Sequence, residues 1–161
     1  MKVAEPKVSY VTFEDLLKKD GYLIYTNVGT SMLPLLRQHR DIIEIRPISG
    51  RAKKYDVVLY KIGGKYILHR VLKVLPHAYV ICGDHNFRRE YGITDSMILG
   101  VMTRMIRNGK SIYSTNWNYK LYVHLWCDFY YIRVAIQSML ALLCKAFKRG
   151  TTVDKSTLSK Q

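Results

Sequence analysis

Short runs of β-branched and aromatic residues fill the middle of the chain, from Tyr22 to about Ser114. Runs of this length and composition, separated by turn residues, are typical of β-strands. Gly63-Gly64 is a two-residue turn signal and Pro76-His77 indicates a second turn, so successive runs are expected to pair as antiparallel hairpins. The predicted strands cover residues 22–28, 41–46, 57–62, 66–74, 79–82 and 97–106.

A helical pattern flanks this region on each side. Thr12 can cap a short helix because Asp15 follows three residues later, and Gly21 ends that helix. Residues 118–148 contain no Gly or Pro and carry polar side chains at four-residue intervals, which favours a longer amphipathic helix. The pattern therefore predicts a mainly β fold of antiparallel strands with a short N-terminal helix and a longer C-terminal helix.

This organisation divides the chain into a β domain (residues 1–116), a helical segment (117–149) and a polar tail (150–161) that is expected to be disordered. The first ten residues are polar and do not resemble a cleavable signal. The longest charge-free apolar run, residues 134–144, is shorter than the ~20 residues that a membrane-spanning helix needs. We therefore expect a cytoplasmic or peripherally membrane-associated protein.

The charge balance changes this picture little. A formal net charge of +14 in 161 residues favours an anionic partner, such as nucleic acid or an acidic membrane surface, or simply a solvated basic surface. The tyrosines are scattered over strand positions, so binding of nucleic acid is not expected. The three cysteines form no paired or metal-ligand spacing, and neither a metal nor a cofactor is predicted.

Two segments carry residue types suited to nucleophilic catalysis. Ser31 follows Gly29 and precedes Pro34, a setting that can display a serine at the end of a strand. His69 interrupts an apolar strand face, and a neutral imidazole is the usual base for activating a serine. Each residue also has a plain structural interpretation, Ser31 as an ordinary loop serine and His69 as a hydrogen-bonded core histidine.

A third segment adds a carboxylate. If Pro76-His77 closes a regular hairpin, Asp84 lies directly opposite His69, where side chains on one face are ~4.5–5.5 Å apart at Cβ. A carboxylate there would orient the imidazole as in a Ser-His-Asp triad. The alternative is that Asp84 only closes a turn at the strand end.

Four segments, taken in order, resemble signal peptidase I, in the variant of the endoplasmic reticulum, archaea and some spore-formers. The likeness runs from about Asn27 to Arg107, roughly half the chain, and the family is related to the self-cleaving SOS repressor peptidases. The matching segments are Ser31-Met32-Leu33-Pro34, Tyr55-Asp56-Val57-Val58-Leu59-Tyr60, His69-Arg70-Val71 and Gly83-Asp84-His85-Asn86.

The resemblance implies a β-rich peptidase fold that cleaves a signal or leader peptide through an acyl-enzyme on Ser31. His69 stands where most bacterial members have a lysine, so the implied base is a histidine. Family members of the reticulum type carry an Asp pair where this chain has Phe87-Arg88-Arg89-Glu90, so either Asp84 or Glu90 is expected to orient His69. The implied oxyanion donors are the backbone N–H of Ser31 or Thr30, since Gly29 replaces a serine.

The same segments also fit a second function, that of a binding module without catalytic activity. A peptidase-like domain without activity would keep most of these segments and bind a leader peptide, nucleic acid or anionic lipid. The aromatic residues of the C-terminal helix fit two roles equally well, packing against the β domain or contact with a membrane surface.

Overall fold

The computed structural model describes residues 11–129, 131, 134–136, 138–139 and 142–143. It opens with helix α1, Phe13–Asp20. The Thr12 hydroxyl accepts a hydrogen bond from the Asp15 amide (3.2 Å), and the Asp15 carboxylate accepts one from the Thr12 amide (3.1 Å). Gly21 then ends the helix with φ 73°, a left-handed conformation that favours glycine. The predicted capped helix is confirmed.

The strands form one antiparallel sheet, in the order β1-β2-β7-β3-β4-β5-β6, with β8 paired to β7. The mainly β fold that the sequence predicts is therefore confirmed, with its short N-terminal helix and a later helix. In chain order the strands are β1 Leu23–Thr26, β2 Ile42–Arg46, β3 Val57–Ile62, β4 Lys65–Val74, β5 Tyr79–Cys82, β6 Glu90–Ile93, β7 Ile98–Arg107 and β8 Lys110–Tyr113.

Strands β6 and β8 were not among the predicted runs. β8 follows an Asn108-Gly109 turn in which both residues have positive φ, 50° and 74°. Asn-Gly is a strong signal for a tight hairpin, because both residues tolerate this conformation. β6 has only four residues, so its sequence is too short to show a clear alternation of apolar and polar positions. It pairs with β5 at two positions.

One face of β3, β4 and β5 forms the main core. Val58, Tyr60 and Val71 are each 0% exposed on this face. His69 lies between Val71 and Ile67 on the same face of β4, directly opposite Val58. The other members of this buried cluster are Ala52, Tyr79, Ile81, Ile93 and Ile98.

The β4–β5 hairpin has a bulge that changes its register. Pairing is regular next to the turn, where Val74 faces Tyr79 and Lys73 faces Val80. Val71 then faces Ile81, so Leu72 is an extra residue in β4, and Arg70 faces Cys82. A shift of one residue moves side chains to the opposite face of a strand. The prediction that Asp84 stands directly opposite His69 is therefore wrong, and Asp84 follows the face of Arg70 instead.

Helix α2 spans Trp117–Asp128, and the chain divides into two compact units between Leu121 and Tyr122. The predicted helix over residues 118–148 is thus observed to Asp128, where a turn at Phe129 interrupts it, and the described positions 131, 134–136, 138–139 and 142–143 are again helical. Its remaining positions, including Lys145, and the predicted tail of residues 150–161 lie outside the described residues. Within the described part of the chain, no helix is long and apolar enough to cross a membrane.

Candidate active site

His69 is held at one ring nitrogen by two oxygen groups. Its Nδ1 lies 2.9 Å from Oε1 of Glu90 and 3.0 Å from the hydroxyl oxygen of Tyr60. The Tyr60 hydroxyl in turn donates a 2.6 Å hydrogen bond to Oε2 of Glu90. The three side chains form a closed ring of contacts, which fixes the orientation of the imidazole.

This ring also determines which nitrogen of His69 carries the proton. Tyr60 gives its only proton to Glu90, so its oxygen can act toward His69 only as an acceptor. The Glu90 carboxylate is likewise an acceptor, and Nδ1 must therefore be the protonated nitrogen. Nε2 of the neutral ring then has a free lone pair, and it makes no hydrogen bond to any of the described residues. This is the protonation state that a general base requires.

Burial and charge act on His69 in opposite directions. The residue is only 5% exposed, and burial lowers the pKa of its imidazole below the ordinary 6.5. The charge and hydrogen bond of Glu90, and more weakly the charge of Asp84, raise that pKa and offset part of the effect. Burial, with the neighbouring Glu90, also raises the pKa of the Tyr60 hydroxyl, so Tyr60 keeps its proton at neutral pH.

Ser31 begins a turn that follows β1. Met32 and Leu36 anchor this turn because both are buried and the Leu36 amide donates to the Met32 carbonyl (2.8 Å). The Ser31 side chain is half-buried, and its hydroxyl makes no hydrogen bond within the described residues. Thr30 is exposed, and its carbonyl accepts a hydrogen bond from the Leu33 amide.

The end of β5 holds the main chain of Ser31 in place. The His85 amide donates a 2.8 Å hydrogen bond to the Ser31 carbonyl. Gly83 allows this close approach, because a Cβ at that position would lie 2.6 Å from the Ser31 oxygen and 2.9 Å from Nδ2 of Asn86. Carried one residue past Arg70 and Cys82, the observed register places Gly83 beside His69. The main chain of Ser31 therefore lies against the end of β5, at the position that this register places opposite His69, and no hydrogen bond between the side chains of Ser31 and His69 occurs among the described residues.

Asp84 is engaged with Arg70 and not with the imidazole. Nε and Nη2 of Arg70 donate to the two carboxylate oxygens of Asp84 at 2.8 and 2.7 Å. Arg70 also donates to the carbonyl of Tyr55 and the hydroxyl of Tyr119. Of the two acids considered for the orienting role, Glu90 is the one that contacts His69.

Tyr60, the third member of this ring, was not among the predicted site residues. The Gly63-Gly64 turn pairs Val58 with His69, so Tyr60 lies two residues along the same face. Side chains at such diagonal positions can meet when one is long and aromatic. Following the register of the β3–β4 hairpin for two residues from Val58 therefore predicts the contact between Tyr60 and His69.

The site as a whole offers a base, an unbonded serine hydroxyl and a rigid support between them. No group of three His, Cys, Asp or Glu side chains placed to hold a metal ion occurs among the described residues. An imidazole with an open lone pair at Nε2 is a group that can take up a proton, and a serine hydroxyl is a group that can act as a nucleophile once it is deprotonated. Comparisons of the chain with protein-family models, curated proteins and solved structures find no match.

Proposed function

We propose that the protein is a serine peptidase that cleaves a signal or leader peptide, with Ser31 as nucleophile and His69 as general base. The observation that carries the proposal is the ring of His69, Glu90 and Tyr60, which leaves the lone pair of Nε2 available. Glu90 takes the orienting role, and the resemblance to signal peptidase I supplies the substrate class.

The proposed reaction has two steps, formation of an acyl-enzyme on Ser31 and its hydrolysis. Ser31 Oγ attacks the carbonyl carbon of the scissile peptide while Nε2 of His69 takes the hydroxyl proton. The C–N bond then breaks, and the amine leaves with that proton, so that an ester on Ser31 remains. Water attacks the ester, its proton passes to Nε2, and the C–O bond breaks as Ser31 regains a proton. One water is consumed for each peptide bond cleaved.

Charge on the carbonyl oxygen requires donors near Ser31. The Ser31 amide donates no hydrogen bond within the described residues, so it is available to an oxyanion. The Thr30 hydroxyl is exposed beside it and is the second candidate donor. Both groups belong to the turn that the Gly83–His85 segment holds in place.

Labelling with a fluorophosphonate probe tests this proposal without knowledge of the substrate. The full chain is expected to be labelled at Ser31, and both Ser31→Ala and His69→Ala should lose labelling while remaining folded by circular dichroism. Ser111→Ala, at an exposed serine of β8, is the matched control and should label normally. Absence of labelling in the folded full chain would reject the peptidase and favour the alternative, a binding module without activity.

A peripheral membrane contact is the second part of the proposal. Trp117, Leu121 and Leu125 follow each other at four-residue intervals on α2 and are 77%, 51% and 56% exposed. A row of this spacing lies along one side of a helix. Exposed apolar side chains on a basic chain fit the boundary of an anionic bilayer.

A further inference from the structure

The loop that joins β5 to β6, residues 83–89, contacts both halves of the candidate site. At its start, the His85 amide binds the carbonyl of Ser31. Directly after its end comes Glu90, which binds His69. Because only a few residues separate these two contacts, the exposed side chains of the loop lie within reach of a peptide that extends a few residues beyond Ser31. We call this segment the β5–β6 loop.

The main chain of the β5–β6 loop faces inward. The buried thiol of Cys82 has one proton and lies within hydrogen-bonding distance of two carbonyl oxygens, those of Asn86 (3.4 Å) and Arg88 (3.3 Å), which share it. The Asn86 amide closes a turn on the Gly83 carbonyl at 3.0 Å. These contacts fix the backbone, so the outer surface of the loop has a defined position relative to Ser31.

The outer surface of this loop is cationic. Arg88 and Arg89 are exposed, as are His85 and Phe87. The acids of the same stretch face inward, since Asp84 is buried against Arg70 and Glu90 contacts His69. The positive charge is thus presented outward while the negative charge is used within the site.

We propose that the β5–β6 loop selects peptides that carry a carboxylate side chain within a few residues of the scissile bond. This proposal rests on the proposed peptidase function, because it assigns a substrate class to the same site. An arginine presents a planar pair of N–H donors that matches a carboxylate, and two exposed guanidinium groups attract acidic peptides from solution. The overall positive charge of the chain acts in the same direction.

Two matched decapeptides test the selection, each with a central alanine that is flanked by glutamates in one and by glutamines in the other. Affinity is measured by fluorescence anisotropy on Ser31→Ala, which needs no catalysis, and kcat/KM is measured on the unmodified chain. We expect about a tenfold preference for the glutamate peptide, which shrinks as salt is added. Charge reversal by Arg88→Glu with Arg89→Glu should abolish it. Reversal at Lys65 and Lys110, exposed residues at the starts of β4 and β8, should leave it intact.

The outcomes separate this proposal from the peptidase function. Equal binding of both peptides by Ser31→Ala, or a preference that survives in the loop variant, would overturn the selection even if the fluorophosphonate probe labels Ser31. Absence of labelling in the folded full chain, together with a glutamate preference in the binding assay, would reject the peptidase. It would retain the β5–β6 loop as a site for acidic peptides.

Discussion

Arg70 and Asp84 form an ion pair of two parallel hydrogen bonds, 2.8 and 2.7 Å long, on the strand face opposite His69. Arg70 is 0% and Asp84 2% exposed, so neither charge has contact with bulk water. Because Asp84 adjoins Gly83 and His85, which contact Ser31, this pair fixes the segment that supports the candidate nucleophile.

Asp84→Asn should therefore destabilise the fold strongly. Asp84→Asn takes the carboxylate charge away from the buried Arg70, and breaking a buried ion pair in this way costs about 3–5 kcal/mol. Urea denaturation followed by circular dichroism measures the change. Asp20→Asn, at an exposed aspartate at the end of α1, should change stability by less than about 0.5 kcal/mol. A loss below about 1 kcal/mol at Asp84 would show that the pair does not hold this segment.

The pH dependence of catalysis should report the burial of His69. Since burial lowers the pKa of His69, the acid limb of kcat/KM should lie below pH 6.5. Glu90→Gln removes a group that raises this pKa, so the limb should move to still lower pH while kcat falls by about 10²–10⁴. His77→Gln, in the exposed β4–β5 turn, should leave the profile unchanged. An acid limb that moves upward in Glu90→Gln would contradict the assignment.

The free energy of unfolding should also depend on pH through the protonation of His69. The unfolded chain takes up a proton on His69 near its ordinary pKa of 6.5, whereas the folded chain does so only at lower pH. The contribution of His69 to folding is therefore lost as pH falls from 6.5 through the folded pKa. His69→Gln should reduce this acid dependence of the urea midpoint, and an unchanged slope would be evidence against the lowered pKa.

Tyr60→Phe should lower kcat about tenfold and leave KM unchanged, because it removes an acceptor that orients His69 without touching the substrate. Tyr91→Phe, an exposed tyrosine of β6, is the matched control and should behave as the unmodified protein. A Tyr60→Phe variant with full kcat would show that Glu90 alone is sufficient to hold the imidazole.

Gly83→Ala and Gly100→Ala compare a crowded glycine at the candidate site with a crowded glycine elsewhere in the sheet. A Cβ at Gly100 would lie 2.5 Å from the carbonyl oxygen of Arg46, a crowding comparable to that at Gly83. Both variants should lose about 1–3 kcal/mol of stability from overpacking. Only Gly83→Ala should also lose labelling of Ser31 at temperatures where both variants are folded. Equal labelling of the two would mean that Gly83 does not position the nucleophile.

Membrane contact through α2 predicts sedimentation of the full chain with vesicles of phosphatidylserine and phosphatidylcholine. Leu121→Ser with Leu125→Ser should weaken binding at least about tenfold, because two large apolar side chains no longer enter the lipid boundary. Ile24→Ser removes an exposed apolar residue of β1 and serves as the control. Negligible binding by the unmodified chain, or equal binding by the α2 variant, would exclude this role for α2.

Most strands could be predicted from the sequence because they combine β-branched composition with clear turn residues. The predicted run at residues 57–62 coincides with β3, and the run at 79–82 coincides with β5. β6 was missed because four residues, one of them Gly92, carry almost no periodic signal. β8 was missed although Asn108-Gly109 marks its hairpin.

The candidate site was predictable in its residue types but only partly in its pairings. Glu90 and Asp84 were both available as partners for His69, and the regular register favoured Asp84. Nothing in the local sequence reveals that Leu72 is unpaired, because a bulge depends on how two strands pack together. The assignment of Glu90 to His69 and of Asp84 to Arg70 therefore required the three-dimensional structure.

The bulge at Leu72 has a consequence for how such a site can change. A chain of the same length that paired Leu72 with Ile81 in a regular hairpin would place Asp84 opposite His69, and it would keep all four segments that contain Ser31, Tyr60, His69 and Asp84. A change in strand pairing alone could thus bring a different acid beside the histidine without any substitution, insertion or deletion. The order and spacing of the four segments therefore do not by themselves determine which carboxylate orients the imidazole.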